Sequence, residues 1–505
     1  MKGWSSMEYI STRGNYEEVS SAEAIQLGMV PTGGLFVPQE VPTLDKDEIY
    51  QFQNKSYQEI AQDVLGKFLT DYSGEELAEL VGAAYNQDNF SAPEIAPLVN
   101  LREEEYILEL WQGPTAAFKD MALQLMPYLL QKAIEKVELE DDVVILVATS
   151  GDTGKAALEG FKNLAGIDII VFYPQDGVSK IQEYQMITTE GDNTAVVAVE
   201  GNFDDCQSTV KEVFGDQDFK ELLAESGYRF SSANSINWGR LVPQIIYYFA
   251  AYAYLLKENE IEAGAEVNIS VPTGNFGNIL AGYYASAMGL PVKNFICASN
   301  DNKVLTDFLE TGVYDINREF KKTISPSMDI LISSNLERFL FEMTDHDAEK
   351  INGWYQQLQA EGKFEIDDET KEKIRSLFVG EYATERETKE MIKEVYEGED
   401  YLLDPHTAVG VKSYRKLEQE LDTARAAIID STANPYKFSR AVLEALTGEK
   451  REDKDDFAVL AELKELTGVE VHRALEGLDE REIRHDRNCT SSDIKGEIKD
   501  ILELD

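Results

Sequence analysis

An α/β fold built on mostly parallel sheets is predicted for this chain, and three observations predict it. Apolar runs of six to eight residues recur without the in-out alternation of a half-exposed sheet, as strands buried on both faces require. Helical patterns separate the runs. Glycine-rich turns lead from a run into a helix, so a ligand is expected beyond the carboxyl ends of the strands. A content of 43% hydrophobic and 10% aromatic residues over 505 positions supplies a large core. At roughly 150 residues per domain, about three units fit.

The elements follow in order. Residues 1–95 hold short apolar runs, a turn-rich stretch from Met29 to Pro42, and two helical patterns, Ser56–Leu69 and Gly74–Tyr85. The segment Gly113–Leu130 has helical apolar spacing up to an expected kink at Pro127. Strands are predicted at Val143–Thr149, Ile167–Pro174, Ala195–Gly201, Val267–Gly274, Asn294–Ser299 and Arg425–Thr432, with the helical stretch Lys155–Gly166 after the first. The acidic stretch His346–Asp400 reads as a solvated helical layer, and the residues from Gly448 onward as charged helix and tail. The expected divisions are 1–95, 96–447 and 448–505.

Charge narrows the function. With 94 acidic against 47 basic residues the chain carries −47, which disfavours nucleic acid and anionic membranes as partners. No run approaches the roughly 18 apolar residues of a membrane span, and the N-terminus has no secretory apolar region. Cys206, Cys297 and Cys489 are scattered, which fits a reducing cytoplasm, and they form no zinc pattern; nor do the four histidines. An anionic ligand approaching so acidic a body needs a locally electropositive site or one rich in N–H donors.

Three places offer such chemistry. Lys119 shares a helical face with Ala122, Leu123 and Met126, while Asp120 and Gln124 fall on the other side. A lysine so desolvated loses pKa and becomes a nucleophilic amine, although its stem can equally carry the ammonium out to solvent. The loop VPTGNFGN places Gly274 and Gly277 between a strand and a helix, where successive N–H groups can cradle a phosphate; an ordinary strand-to-helix turn reads the same way. It is neither a Walker A loop nor a dinucleotide fingerprint. ATSGDTG repeats the design, with Ser150, Thr153 and Gly154 where a helix begins, and Thr153 there either an anion ligand or an N-cap.

Taken together and in this order, ISTRG, GMVPTGGLFVP, GPTAAFKD, SGDTG, EGNFDDCQ, SINWGRLVPQ, GNFGN and DPHTAVG resemble the threonine synthase family of the yeast and bacterial long-chain branch. The resemblance covers almost the whole chain. It implies the fold type II of pyridoxal-phosphate enzymes, similar to the tryptophan synthase β subunit, with two doubly wound parallel-sheet subdomains and an N-terminal domain. It implies conversion of O-phospho-L-homoserine and water to L-threonine and phosphate, by loss of the γ-phosphate and addition of water at the β-carbon. It gives Lys119 the cofactor aldehyde. Gly274, Asn275, Phe276, Gly277 and Asn278 take the cofactor phosphate, Thr432 the pyridine nitrogen, and Asp152 the neighbourhood of the ring hydroxyl. Ser150 and Thr153 take the substrate carboxylate, and Asn234, Ser235, Asn237 and Arg240 its phosphate. The chain reads STANPYKF where the family often reads STAHPAKF, so the contacts of Asn434 and Tyr436 stay open. A monomer or homodimer is expected. A related lyase of the same fold, or a relative without activity, remains an alternative.

Overall fold

The computed structural model describes residues 6–421 and 426–504, apart from the side chains of Phe203 and Asp204. Arg425, expected to open a strand, lies outside the described residues, as do Met1–Ser5 of the N-terminus.

Two sheets carry the main body of the chain. One has six strands in the order Phe378–Tyr382, Val292–Ser299, Val267–Pro272, Ala426–Ser431, Glu105–Glu109 and Leu98–Arg102. All its pairings are parallel except the last, where Leu98–Arg102 runs antiparallel to Glu105–Glu109. The other has five parallel strands in the order Arg487–Thr490, Thr194–Glu200, Ile167–Pro174, Asp142–Ala148 and Tyr228–Ser231. Central strands such as Val267–Pro272 and Ala426–Ser431 are buried at every residue, the physical reason their sequences show no alternation. Every strand predicted from an apolar run is present to within two residues at either end.

Strands without such a run escaped the sequence reading. Phe378–Tyr382 lies inside the acidic layer and pairs with Phe295–Ser299, and Arg487–Thr490 lies in the charged tail and pairs with Val197–Glu200. Both are edge strands. Each needs apolar residues toward only one neighbour, and so carries little hydrophobic signal. The acidic layer also holds the short strand Lys363–Glu365, paired with Val313–Asp315, and the helices Ala348–Glu361, Asp368–Arg375 and Glu385–Glu399, each opened by an Asp or Thr N-cap.

The N-terminal part is bound into the same body. Its hairpin pairs Tyr9–Ser11 with Phe36–Pro38. The Thr12 hydroxyl donates to Glu337 at 2.6 Å, and Arg13 bonds both oxygens of Glu337 at 3.0 and 2.9 Å. Trp238, fully buried, packs edge-on against Tyr9 at 5.4 Å and Tyr284 at 5.4 Å. Among the described residues no helix is long and apolar enough to cross a membrane.

Candidate active site

The carboxyl ends of both sheets meet around Lys119, and its segment is not the continuous helix expected from its spacing. Residues 113–119 form a loop, Asp120–Leu123 a single helical turn, and Met126–Lys136 a separate helix. Pro127 sits in the first turn of that second helix, where its missing N–H leaves no bond unmade. Asp120 and Gln124, expected on the far side from the core, are buried at 0% and 5% exposure. Asp120 folds back to accept from the Thr115 N–H at 2.8 Å and the Thr115 hydroxyl at 2.7 Å, so the polar residue closes the loop instead of facing water. Burial pushes its carboxyl up to about 6 against the pull of those bonds. A Cβ on residue 113 would lie 2.4 Å from the Asp120 Cβ, which only glycine avoids.

The loop is zipped to the end of the strand Ala426–Ser431. The Phe118 N–H donates to the Thr432 carbonyl at 2.8 Å, and the Asn434 N–H donates to the Ala116 carbonyl at 3.0 Å. Both bonds lie just before Lys119 in the chain and anchor the loop that presents it. Its Nζ lies 3.4 Å from Asp152 Oδ2 and 3.4 Å from Ser327 Oγ. Burial lowers its pKa; Asp152 opposes the shift, and the Lys437 and Arg240 cations reinforce it.

Lys437 is a site residue the sequence reading missed. Its side chain is 0% exposed, and its Nζ lies 2.8 Å from Asp152 Oδ1 and donates to the Thr115 carbonyl at 2.9 Å. Gln182 Nε2 donates to the same Asp152 oxygen at 3.0 Å. Burial alone would raise the Asp152 carboxyl, but Lys437, Lys119 and Gln182 more than reverse it and hold the group well below the usual carboxylate range. Asp152 thus stays ionised between the side-chain nitrogens of Lys437 and Lys119. Lys437 follows Thr432 within a short 3-10 turn, Pro435–Phe438, whose residues have no helical or strand period to betray a buried face.

The first glycine loop ends in the helix Asp152–Phe161. Gly151 is its N-cap at φ 129°, and a Cβ there would strike the Gln182 amide at 2.5 Å. Thr149 Oγ1 accepts from the Gly151 and Gly154 N–H groups at 3.0 and 2.9 Å, so Thr149, and not Thr153, caps this helix. Ser150 is exposed and Thr153 half-buried at the same turn.

The second loop opens the helix Gly277–Ala287, whose N-terminus has no side-chain cap. Phe276 adopts the left-handed region at φ 63°, a strained state for a bulky residue. Its ring, 1% exposed and 4.9 Å from Phe339, holds it there. A Cβ on residue 274 would lie 2.4 Å from the Ser327 carbonyl oxygen. The loop therefore lies against the same Ser327 that meets Lys119. Asn278 Oδ1 accepts from the Tyr247 hydroxyl and, at 2.7 Å, from the Tyr248 hydroxyl, which leaves its buried Nδ2 unpaired.

The segment Asn234–Arg240 divides in two. The Asn237 side chain, buried at 0%, accepts from the Gly239 N–H at 2.8 Å and donates to Ile25 at 3.0 Å and Ser232 at 2.9 Å. Both its amide hydrogens are bonded to main-chain carbonyls, one on the helix Ser21–Leu27 and one at Ser232. Asn234 accepts from the Ser235 N–H at 2.6 Å and shapes the turn. Arg240, 5% exposed, donates through Nη1 to the Ala233 carbonyl at 2.9 Å, and its buried Nε has no partner. No carboxylate pairs with it among the described ion pairs, and burial brings its pKa down to about 10. A dehydrated guanidinium without a counter-ion suits an incoming anion.

Asn335 and Arg338, also unassigned from sequence, join these loops. Asn335 Nδ2 donates to the Ser235 and Asn275 carbonyls at 3.1 and 3.2 Å, and Arg338 donates to Asn335 Oδ1 at 2.8 Å and to the Phe36 carbonyl at 2.9 Å. Tyr436, at the departure from the usual motif, is buried and donates to the Val469 carbonyl at 2.5 Å, fastening the C-terminal part to the site loop.

These residues fit pyridoxal phosphate. An amine of lowered pKa and the glycine loop that leads to an uncapped helix N-terminus both lie against Ser327, and Arg240, with no carboxylate partner among the described ion pairs, lies close by. The acidic body thus turns a cationic interior toward its ligand.

Comparison with known proteins agrees in kind. The family model "Threonine synthase N terminus" matches residues 8–85, "Pyridoxal-phosphate dependent enzyme" matches residues 90–431, and "Threonine synthase, C-terminal" matches residues 407–484. Threonine synthase-like 1 of Homo sapiens is 42% identical over 435 residues, 84% of this chain, and the chain spans 58% of that relative's length. Threonine synthase of Schizosaccharomyces pombe is 39% identical over 472 residues, covering 88% of this chain and 90% of that protein. The solved structure of PLP-bound threonine synthase from Brucella melitensis superposes with a TM-score of 0.87 at 36% identity, over 98% of this chain and 100% of that one.

Proposed function

This chain belongs to the threonine synthase family of pyridoxal-phosphate-dependent enzymes, and from that premise we propose that it converts O-phospho-L-homoserine and water to L-threonine and phosphate. The observation that carries the reading is the Lys119 amine, buried, of lowered pKa, and fixed beside the Gly274 loop through Ser327.

Pyridoxal phosphate, when bound, supplies the electron sink that lets an amino acid lose its α-proton. Lys119 is the amine for its aldehyde, and the N–H groups of Gly274, Asn275, Phe276, Gly277 and Asn278 hold its phosphate. Thr432 meets the ring nitrogen with its hydroxyl, and Asp152 stands near the ring hydroxyl. Ser150 and Thr153 orient the substrate carboxylate. Ser235 and Arg240 receive the substrate phosphate, with Asn234 shaping their turn, and Arg240 neutralises the charge that grows on it as it departs. Lys119 accepts the proton from the substrate α-carbon and later returns one, a role favoured by burial and the neighbouring cations, which lower the pKa of its amine. We place this activity in the cytoplasm, in a monomer or homodimer, consistent with three buried free thiols.

The test is to incubate the purified chain with pyridoxal phosphate and O-phospho-L-homoserine and to assay threonine and phosphate together. Equal release of both is expected. Phosphate without threonine would assign a lyase, and a colourless, inactive protein would assign a non-catalytic relative. Lys119→Ala should lose turnover and the visible absorbance; normal turnover in that variant would remove Lys119 from the chemistry.

A further inference from the structure

Ser327 occupies the 3-10 turn Pro326–Met328, within an irregular stretch between the strand Val313–Asp315 and the helix Leu336–Met343. Such a stretch can aim a side chain only if its backbone is tied down, and this one is tied at three points. Asp329 Oδ1 accepts from Asn300 Nδ2 at 2.7 Å, Asn302 Nδ2 at 3.0 Å and the Thr323 hydroxyl at 2.8 Å, while Oδ2 accepts from the Thr323 N–H at 2.8 Å. His406 Nε2 accepts from the Ser327 N–H at 3.1 Å, and its Nδ1 lies 2.8 Å from Asp404 Oδ1. That pair of contacts fixes the tautomer with the hydrogen on Nδ1. Third, the missing Cβ of Gly274 admits the Ser327 carbonyl. Asp404 itself caps the helix Pro405–Leu417 by accepting from the His406 N–H at 2.8 Å. A buried helix end, a carboxylate and an imidazole thus converge on one serine, whose hydroxyl meets Lys119 Nζ at 3.4 Å.

We propose that Ser327 is a further catalytic residue, whose oxygen joins that of Asp152 in holding hydrogens of the Lys119 amine and so aims its lone pair whenever that amine acts as nucleophile or base. A neutral primary amine has two N–H bonds and one lone pair, so two fixed acceptors leave the lone pair one direction. Asp152 Oδ2 and Ser327 Oγ both stand 3.4 Å from Nζ. Both contacts are long, as catalytic hydrogen bonds commonly are before a ligand closes the site. No proton is transferred to or from Ser327; its oxygen accepts throughout, and after Lys119 takes a proton the same two acceptors bind two of the three ammonium hydrogens. Asp404 and His406 are positioning residues for Ser327. The proposal rests on the reading of Lys119 as the amine for the cofactor aldehyde.

The test uses the full chain stripped of cofactor and follows, by stopped flow from pH 6 to 9, the rise of visible absorbance on mixing with pyridoxal phosphate. Pyridoxine phosphate, which has no aldehyde, is titrated in parallel to report binding through the phosphate alone. Ser327→Ala should slow aldehyde capture about tenfold, the weight of one hydrogen bond, with pyridoxine phosphate affinity kept. Ser327→Thr, which keeps a hydroxyl, should recover to within about twofold of the parent rate. His406→Asn should slow capture in the same direction and add nothing when combined with Ser327→Ala, since both act through one contact. A Ser327→Ala variant that captures the aldehyde at the parent rate overturns the proposal. So does one that loses pyridoxine phosphate binding and thermal stability together, because Ser327 would then be structural. A parent chain that gives no absorbance at all overturns instead the cofactor reading beneath it.

Discussion

Replacing Lys437 by methionine separates the charge of the site from its shape. The substitution keeps most of the side-chain volume and removes an ammonium that lies 2.8 Å from Asp152 Oδ1. Two effects follow from the geometry. Breaking a buried ion pair from one side costs about 3–5 kcal/mol, and the low end applies because Asp152 keeps Gln182 at 3.0 Å and Lys119 at 3.4 Å. A chain of 505 residues has an unfolding entropy of about 1 kcal/mol/K, so about 3 kcal/mol lowers Tm by about 3 °C. The second effect is on Lys119. The Lys437 cation helps to lower the pKa of that amine, and Asp152 opposes it. With Lys437 gone, one depressing charge is lost and Asp152, still ionised, turns wholly to Lys119, so both changes raise the amine's pKa. The neutral fraction of Lys119 at a given pH then falls, and the acid limb of aldehyde capture moves to higher pH. The assay is the pH dependence of absorbance growth in the cofactor-free protein mixed with pyridoxal phosphate, with Lys437→Arg as the control that keeps the charge. An unmoved acid limb in Lys437→Met, with Tm lowered, would refute the electrostatic reasoning and leave Lys437 a framework residue.

Two further outcomes test the surroundings. Arg240→Ala should raise KM for O-phospho-L-homoserine by about 10- to 100-fold, the loss of a charge-assisted contact, while the cofactor spectrum is kept; unchanged KM and kcat would take Arg240 out of the site. Asp430 is fully buried, its Oδ2 lies 2.8 Å from the Tyr248 hydroxyl oxygen, and burial pushes its carboxyl up to about 7. The folded chain therefore holds this proton where the unfolded chain, titrating near 4, has lost it, and stability falls as pH rises from about 4 to about 7. Asp430→Asn should abolish that fall and be more stable than the parent at pH 8 by an amount on the order of 1–4 kcal/mol, with the two converging below pH 4; parallel Tm curves across this range would show that Asp430 does not titrate there.

The chain by its order of residues determined the buried strands, because a strand covered on both faces must be apolar throughout, as Val267–Pro272 and Ala426–Ser431 are. It also marked the turns, because Gly151 at φ 129° and Gly274 against the Ser327 carbonyl occupy positions that a side chain cannot. Its motifs pointed to Lys119, but the helical face invoked for that lysine does not exist. Burial comes instead from a loop closed by Asp120 and zipped to Thr432, a contact between residues more than 300 positions apart. Only the tertiary structure decided the rest. Lys437, Ser327 and Arg338 lie in turns or on helices whose polar letters read as solvent-facing, and Asn237 proved to be tied to Ile25. The physical reason is common to all four: a polar side chain is held inside the fold, fully or in part, when distant parts of the chain bring it partners, and no local period in the sequence records a partner that arrives from elsewhere.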